Sequence, residues 1–170
     1  PGLQLLVARK GSVLYQKSFG HHTYDKKIKV ENHHLYDLAS LTKITATLPL
    51  IIREVDRGSF SLDSPLVDLI PDLEGSNKAN LEVKAVLSHY AKIVPWIPFY
   101  RATLNKDGDK QKRFYRGKRR NRFDITVADQ VYLRSNYPPK MRKEIIESPL
   151  LDSLYYRYSD IPFYLFKDYF

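Results

Sequence analysis

The sequence predicts a mixed α/β fold of the α+β kind, a β-hairpin followed by a helical region. Three observations predict it. Leu3 to Arg9 and Ser12 to Phe19 are short β-type runs separated by Lys10-Gly11, the pattern of a hairpin whose glycine supplies the positive φ of a tight turn. Between Asp37 and Asp56, apolar residues recur at Leu41, Ile44, Leu48, Ile51, Ile52 and Val55, a helical stripe that Gly58 then stops. Leu81 to His89 carries the pattern of a further helix.

Taken in order, the hairpin occupies residues 1–20 and the helical region residues 36–170 of one partial domain covering 1–170. The stripe predicts a buried helix. Pro49 lies inside it, and because an interior proline removes a backbone donor and costs about 3 kcal/mol, a kink is expected there. Ile70-Pro71-Asp72-Leu73 reads as a loop, and Tyr156-Arg157-Tyr158-Ser159-Asp160 precedes an apolar and aromatic run. A two-stranded hairpin is only marginally stable alone, so it is expected to pair its edge with a second copy or to join the rest of a larger sheet.

Ser40 and Lys43 stand three residues apart at the start of the stripe, where one helical turn brings them to one face. A serine hydroxyl is a poor nucleophile at neutral pH unless a neighbour takes its proton, and a lysine partly buried beside it can be pushed toward its neutral, basic form. By spacing alone the pair reads first as a helix-capping serine with a solvated lysine one turn on, since serine is a favoured cap.

In order and spacing, Pro1-Gly2-Leu3, Phe19-Gly20, Tyr36-Asp37-Leu38-Ala39-Ser40-Leu41-Thr42-Lys43, Leu62-Asp63-Ser64-Pro65 and Ile70-Pro71-Asp72-Leu73 resemble the serine β-lactamase and penicillin-binding-protein superfamily. The likeness is to the side that holds class C β-lactamases, D-alanyl-D-alanine carboxypeptidases and related esterases. Val94 to Tyr100 and Tyr158-Ser159-Asp160 look most like the modules joined in some bacteria to glycoside hydrolase family three N-acetylglucosaminidases. The resemblance implies a β-lactamase/transpeptidase-like fold with Ser40 as the acylated nucleophile, Lys43 as its hydrogen-bonded activator and Tyr158 as a proton shuttle. A cation at Lys43 favours negative charge on Tyr158, and the Ser40 backbone N–H is placed to donate to an oxyanion.

Three departures qualify that carry-over. Where such proteins usually have asparagine, this chain has Asp160, which when ionised cannot donate a hydrogen bond and brings negative charge toward the substrate. In place of His-Thr-Ser-Gly it reads His89-Tyr90-Ala91-Lys92, so Lys92 stands where a glycine would permit a tight turn and a changed loop is expected. The third motif of the superfamily, Lys-Thr-Gly or His-x-Gly, does not follow Tyr158, so the chain is expected to represent the first half of such a domain, truncated before its C-terminal strands and poorly active by itself.

Composition narrows the classes further. There is no cysteine, which excludes disulfides and thiol catalysis, and no run of about 18 apolar residues for a membrane span. Between Arg101 and Arg122 ten Lys or Arg face two Asp, so this segment carries +8 of the chain's +9. Its cations alternate with Phe114, Tyr115 and Phe123 as in single-stranded nucleic-acid binders, but turn chemistry before it and the lack of apolar periodicity favour a solvated loop over about 101–123, with no nucleic-acid partner expected.

The remaining candidates are weighed briefly. His21-His22 and His33-His34 invite a zinc reading, but without cysteine or a convergent carboxylate pattern they read as surface histidines, and no metal or other cofactor is assigned. Trp96, among Pro95, Pro98, Phe99 and Tyr100, is a candidate substrate-facing wall or a packing residue, and with Asp160 it completes the expected substrate-binding set. Asp63 and Asp68 read as capping or turn residues rather than an acid pair. The expectation is a serine hydrolase acting on amides or esters through an acyl-serine, with peptidoglycan peptides ahead of β-lactams and small esters, in the bacterial cell envelope outside the cytoplasm. The alternative is a non-catalytic cell-wall or polyanion-binding module.

Overall fold

A computed structural model describes all residues, 1–170, and the chain divides into two compact units, Pro1–Leu41 and Thr42–Phe170. In the first unit, strand β1 (Leu3–Arg9) pairs antiparallel with β2 (Ser12–Phe19), from Leu3 opposite Phe19 to Arg9 opposite Ser12, with a bulge at Val7/Ala8. Lys10 and Gly11 have φ of 49° and 81°, the two left-handed residues of a type I′ turn, whose twist matches the strands it joins. After β2 the chain folds back, and the Val30 N–H donates to the Gly20 carbonyl at 3.0 Å. Gly20 is required there: a Cβ would meet the Pro1 carbonyl oxygen at 2.5 Å. Val30 is the one buried residue of this unit, while Leu3, Leu5, Leu6, Val7, Val13, Leu14, Tyr15 and Phe19 are all exposed.

The second unit opens with a wide π-helical turn, Lys43–Thr47, that runs into α1 (Leu48–Asp56). The expected continuous helix from Asp37 is therefore replaced by a 3₁₀ turn at Ala39–Leu41, the π turn, and then the α-helix. Pro49 falls at the second residue of α1 rather than inside a long helix, and the register change before it takes the place of the expected kink. Helix α1 ends as expected: Gly58, at φ 75°, donates to Val55 O at 3.0 Å and Ser59 donates to Glu54 O at 3.0 Å, the paired bonds of a Schellman cap.

The stripe, however, is not a buried one. Ile51 is buried at 1%, but Leu41, Ile44 and Ile52 are 54–59% exposed. Within the second unit, one edge of α1 packs on the core, and Ile44 and Ile52 on the other remain exposed.

Further elements follow: α2 (Leu66–Leu69), a 3₁₀ turn at Pro71–Leu73, α3 (Val83–Leu87), a 3₁₀ turn at Phe99–Thr103, α4 (Tyr137–Glu147) and α5 (Ile161–Tyr169). Their core joins Ile51, Leu66, Leu73, Val83, Val86, Ile161, Leu165 and Phe166. Helix α5 is central to it, burying Ile161, Pro162, Leu165 and Phe166.

The region from residue 36 onward is not purely helical. Strands β3 (Tyr115–Arg116), β4 (Ile125–Ala128) and β5 (Val131–Leu133) form an antiparallel sheet in the order β3-β5-β4, so the segment expected to be a solvated loop contributes a strand. Strands this short carry too few residues to show a period of two. No helix is long and apolar enough to cross a membrane.

One fully buried cation holds α4 to this core. Lys78 Nζ donates to Ser148 O at 2.6 Å, Asn77 Oδ1 at 2.9 Å and Ile146 O at 3.2 Å, capping carbonyls at and just beyond the end of α4. All three acceptors are neutral, and burial lowers its pKa to about 8. The folded protein thus binds fewer protons than the unfolded chain between about pH 8 and the ordinary lysine value, so stability rises with pH across that window. Urea unfolding at pH 7 and 9.5 should show wild type gaining about 1–2 kcal/mol relative to Lys78→Met. A pH-independent difference would contradict the assignment.

Candidate functional site

Ser40 is exposed in the 3₁₀ turn Ala39–Leu41 at the end of the first unit. The turn is shaped locally: the Ala39 N–H donates to Asp37 Oδ1 at 2.8 Å and the Leu41 N–H to Leu38 O at 2.8 Å. Ala39 has a φ of 42°, a left-handed conformation that disfavours any residue with a Cβ and that concentrates at functional sites. Lys43 follows three residues later as the first residue of the π turn.

In the second unit Lys43, Tyr158, Asp160 and His89 come together. Lys43 Nζ donates to Asp160 Oδ1 at 2.5 Å, with the lysine side chain only 15% exposed. The same ammonium lies 5.1 Å from the Tyr158 ring centroid and 5.0 Å from that of Phe163. Burial by itself lowers the lysine pKa, but hydrogen bonds to Asp160 and Tyr158, with their charges, outweigh it and leave the pKa raised. The expected push toward a neutral, basic lysine is thereby overturned, because Asp160 supplies a counter-charge where asparagine would supply none. Lys43 is an ammonium at neutral pH.

His89 is the functional candidate that sequence reasoning passed over. Its ring lies 4.6 Å from that of Tyr158, its Nδ1 accepts the Ser159 N–H at 3.2 Å, and its carbonyl accepts the Arg157 N–H at 2.9 Å. Burial lowers its pKa, and nearby Lys43 lowers it further against a smaller opposite effect of Asp160. It is thus a neutral brace for the Arg157–Ser159 segment. Ser159 completes that anchorage, its Oγ donating to Val94 O at 2.7 Å and accepting the Ile161 N–H at 3.2 Å, while the Asp160 N–H donates to Pro95 O at 2.9 Å. The signal available in the sequence was His89 itself, at the head of the altered His-Tyr-Ala-Lys stretch.

In that stretch Lys92 adopts a φ of 57°, the conformation a glycine would take without strain, and its Nζ donates to Asp152 O at 3.1 Å. A left-handed turn is thus present there, carried by a residue with a Cβ.

Residues 1–128 match the beta-lactamase family, and that span takes in Ser40, Lys43 and His89. The chain belongs to the beta-lactamase family. It is 27% identical to Protein flp of Staphylococcus aureus strains N315 and MW2 over 111 residues, 63% of this chain and 22% of each relative. The matched region thus spans about a fifth of the length of these curated relatives. No solved structure matches it.

Not every expected residue joins the cluster of this beta-lactamase relative. The Trp96 ring stacks on Tyr100 with centroids 6.5 Å apart and lines an open groove with Ile97, Pro98, Glu144 and Glu147. Its chain neighbours Val94 and Pro95, not its ring, hold the Ser159–Asp160 backbone. In the basic segment Arg116 and Arg120 lie over the Phe123 ring at 4.4 and 5.5 Å, and Arg113 lies over Phe114 at 4.8 Å, so these aromatics are engaged by their own chain's cations. Asp63 pairs with Lys84 at 2.5 Å, and Asp68 sits in the first turn of α2. The histidine pairs are not isolated: Glu31 supplies a carboxylate whose oxygen lies with ligand nitrogens of His33 and His34 within 4.8 Å of one another. That convergence corrects the expectation of histidines without a carboxylate, because a turn, not a sequence motif, creates it.

Two outcomes test this geometry. Asp160→Asn removes the counter-charge, so the Lys43 pKa should fall, read by NMR titration of the lysine ammonium against a Lys43→Arg control. In the parent, the stabilisation tied to this raised pKa is complete below the ordinary lysine value and lost as pH climbs through the folded value; in Asp160→Asn that alkaline loss should shrink. Lys92→Gly should raise unfolding free energy by about 0.5–1 kcal/mol through relief of the left-handed strain. A decrease would mean that the bond to Asp152 dominates.

Proposed function

We propose that this chain carries the nucleophile of a serine hydrolase that cleaves amides or esters through an acyl-serine intermediate. The observation that supports it is the Lys43–Tyr158–Asp160 cluster, built around the lysine three residues after Ser40 in a chain of the beta-lactamase family. In this reading the Tyr158 phenolate, favoured by the Lys43 ammonium, takes the Ser40 hydroxyl proton as Oγ attacks the carbonyl carbon, and the resulting phenol gives that proton to the leaving group as the scissile bond breaks. Water then attacks the acyl-serine and regenerates Ser40. The Lys43 ammonium supplies the positive charge against which Tyr158 takes up negative charge, and His89 and Ser159 hold the tyrosine segment in place. Ser40 N–H is the proposed oxyanion donor.

Peptidoglycan stem peptides are the leading substrate class, with β-lactams and small esters behind, which places the protein in the cell envelope. The exposed hairpin side chains and the uncovered edge of α1 call for further strands or a second copy to cover them. One observation favours a second reading, a non-catalytic module that binds wall material or polyanions: Asp160 stands where asparagine is usual and engages Lys43 in an ion pair at 2.5 Å, so the lysine is not available as a base.

Intact-protein mass spectrometry after incubation with a fluorophosphonate, and separately with benzylpenicillin, decides between the two. The serine-hydrolase reading expects one fluorophosphonate adduct per chain, absent from Ser40→Ala and formed about 100-fold or more slowly in Tyr158→Phe. No adduct at Ser40 with either reagent would overturn it and leave the binding module.

A further inference from the structure

The first unit holds a second cluster of chemistry-bearing side chains, and none of them enters the acyl-transfer reading. Glu31, His33 and His34 converge there, and His22, with eight residues between it and Glu31, meets the group at His34. His22 Nε2 lies 2.8 Å from His34 Nδ1, and His33 Nδ1 lies 3.4 Å from Glu31 Oε2. The His33 and His34 ring centroids are 4.6 Å apart. Ligand atoms of Glu31, His33 and His34 all lie within 4.8 Å of one another. Two ligands on a tetrahedral zinc, each about 2.0–2.1 Å from the ion, are roughly 3.3 Å apart, so the observed spacings bracket the required one.

The backbone holds this arrangement. Glu31 to His34 form a turn in which the His34 N–H donates to Glu31 O at 3.1 Å, and both of those carbonyl positions are clamped to β1 by the Gln4 amide, at 2.6 Å to Glu31 O and 2.8 Å to His34 O. Ser18 on β2 holds Asn32 through its side chain. His22 is fixed independently by its N–H, which donates to Ile28 O at 2.9 Å. The hairpin thus holds Glu31, His33 and His34 as a convergent set, with His22 joined to it through His34.

We propose that His22, Glu31, His33 and His34 form a binding site for one divalent transition-metal ion, with zinc the first choice for three imidazoles and a carboxylate. The ion replaces the hydrogen bond between His22 Nε2 and His34 Nδ1 and displaces the Glu31 N–H that His34 Nδ1 accepts at 3.2 Å, and the two ring nitrogens open by about half an ångström to coordinate it. Its role is structural. It ties the end of the hairpin to the turn that leads into Ser40, and because it binds this folded arrangement, it stabilises the unit by mass action.

The test is zinc titration of the full chain after chelator treatment and desalting, by calorimetry and by thermal unfolding. The expected result is saturable uptake of one zinc per chain with a dissociation constant in the micromolar range or below, a melting temperature that rises with zinc, and X-ray absorption showing nitrogen or oxygen ligands at about 2.0–2.1 Å. His33→Ala/His34→Ala should weaken uptake at least tenfold, and His22→Gln, with its single exposed change, should do so with the circular dichroism spectrum unchanged. Ser40→Ala should bind zinc like the parent, which separates this site from the serine reading. No saturable uptake, or uptake unaltered in both histidine variants, would overturn the proposal.

Discussion

The ion pair between Lys43 and Asp160 is the constraint around which the second unit's chemistry is arranged. It joins the first residue of the π turn to the residue that opens α5, two points separated by 117 positions. A carboxylate at 2.5 Å settles the protonation of the lysine, since its attraction and hydrogen bond exceed the effect of partial burial. The division of labour follows from that charge. An ammonium cannot take a proton, so in the proposed acyl transfer the acceptor is the neighbouring Tyr158 as its phenolate, and the lysine acts through its field. Burial, reinforced by the same charge, lowers the His89 pKa and leaves Nδ1 able to accept the Ser159 N–H that fixes the tyrosine segment.

The site depends on the packing beneath it. Helix α5 can present Asp160 only because Ile161, Pro162, Leu165 and Phe166 bury its other side among α1, α2 and α3 residues. Arg142 on α4 binds both Asp72 and Asp168, linking the 3₁₀ turn after α2 to the end of α5. Lys78 reaches the carbonyls that end α4 from within the core. The hairpin unit has the opposite character, with one buried residue and two faces of exposed apolar side chains. Its order comes from backbone pairing, from glycines that permit close approach, and from the Gln4 and Ser18 clamps on the 31–34 turn.

Backbone strain is spread over several turns, the candidate site among them. Ala39, immediately before Ser40, and His89 and Lys92 hold positive φ without being glycine, as do Lys10, Lys26, Arg122 and Gln130 elsewhere. Each such residue costs on the order of 1–2 kcal/mol, and each persists where hydrogen bonds on either side over-determine the turn.

The sequence by itself determined the features whose cause is local. Lys10-Gly11 set the hairpin turn and the pairing next to it, Arg9 with Ser12 and Ala8 with Val13, and Gly58 set the end of α1 because only a left-handed residue closes the Schellman cap there. The Ser-x-x-Lys and Tyr158-Ser159-Asp160 motifs were legible in the same way, as short strings in a family's order. Tertiary structure alone decided the rest. The charge on Lys43 depends on a partner over a hundred residues away, and the brace role of His89 on a loop it meets only in the fold. Lys92 takes a glycine's conformation because its surroundings hold the turn, and Glu31 meets the histidines because Gln4 on β1 pins the intervening carbonyls. Burial of the α1 stripe was unreadable for a related reason: periodicity shows that a face is apolar, but only the packed neighbours decide whether anything covers it.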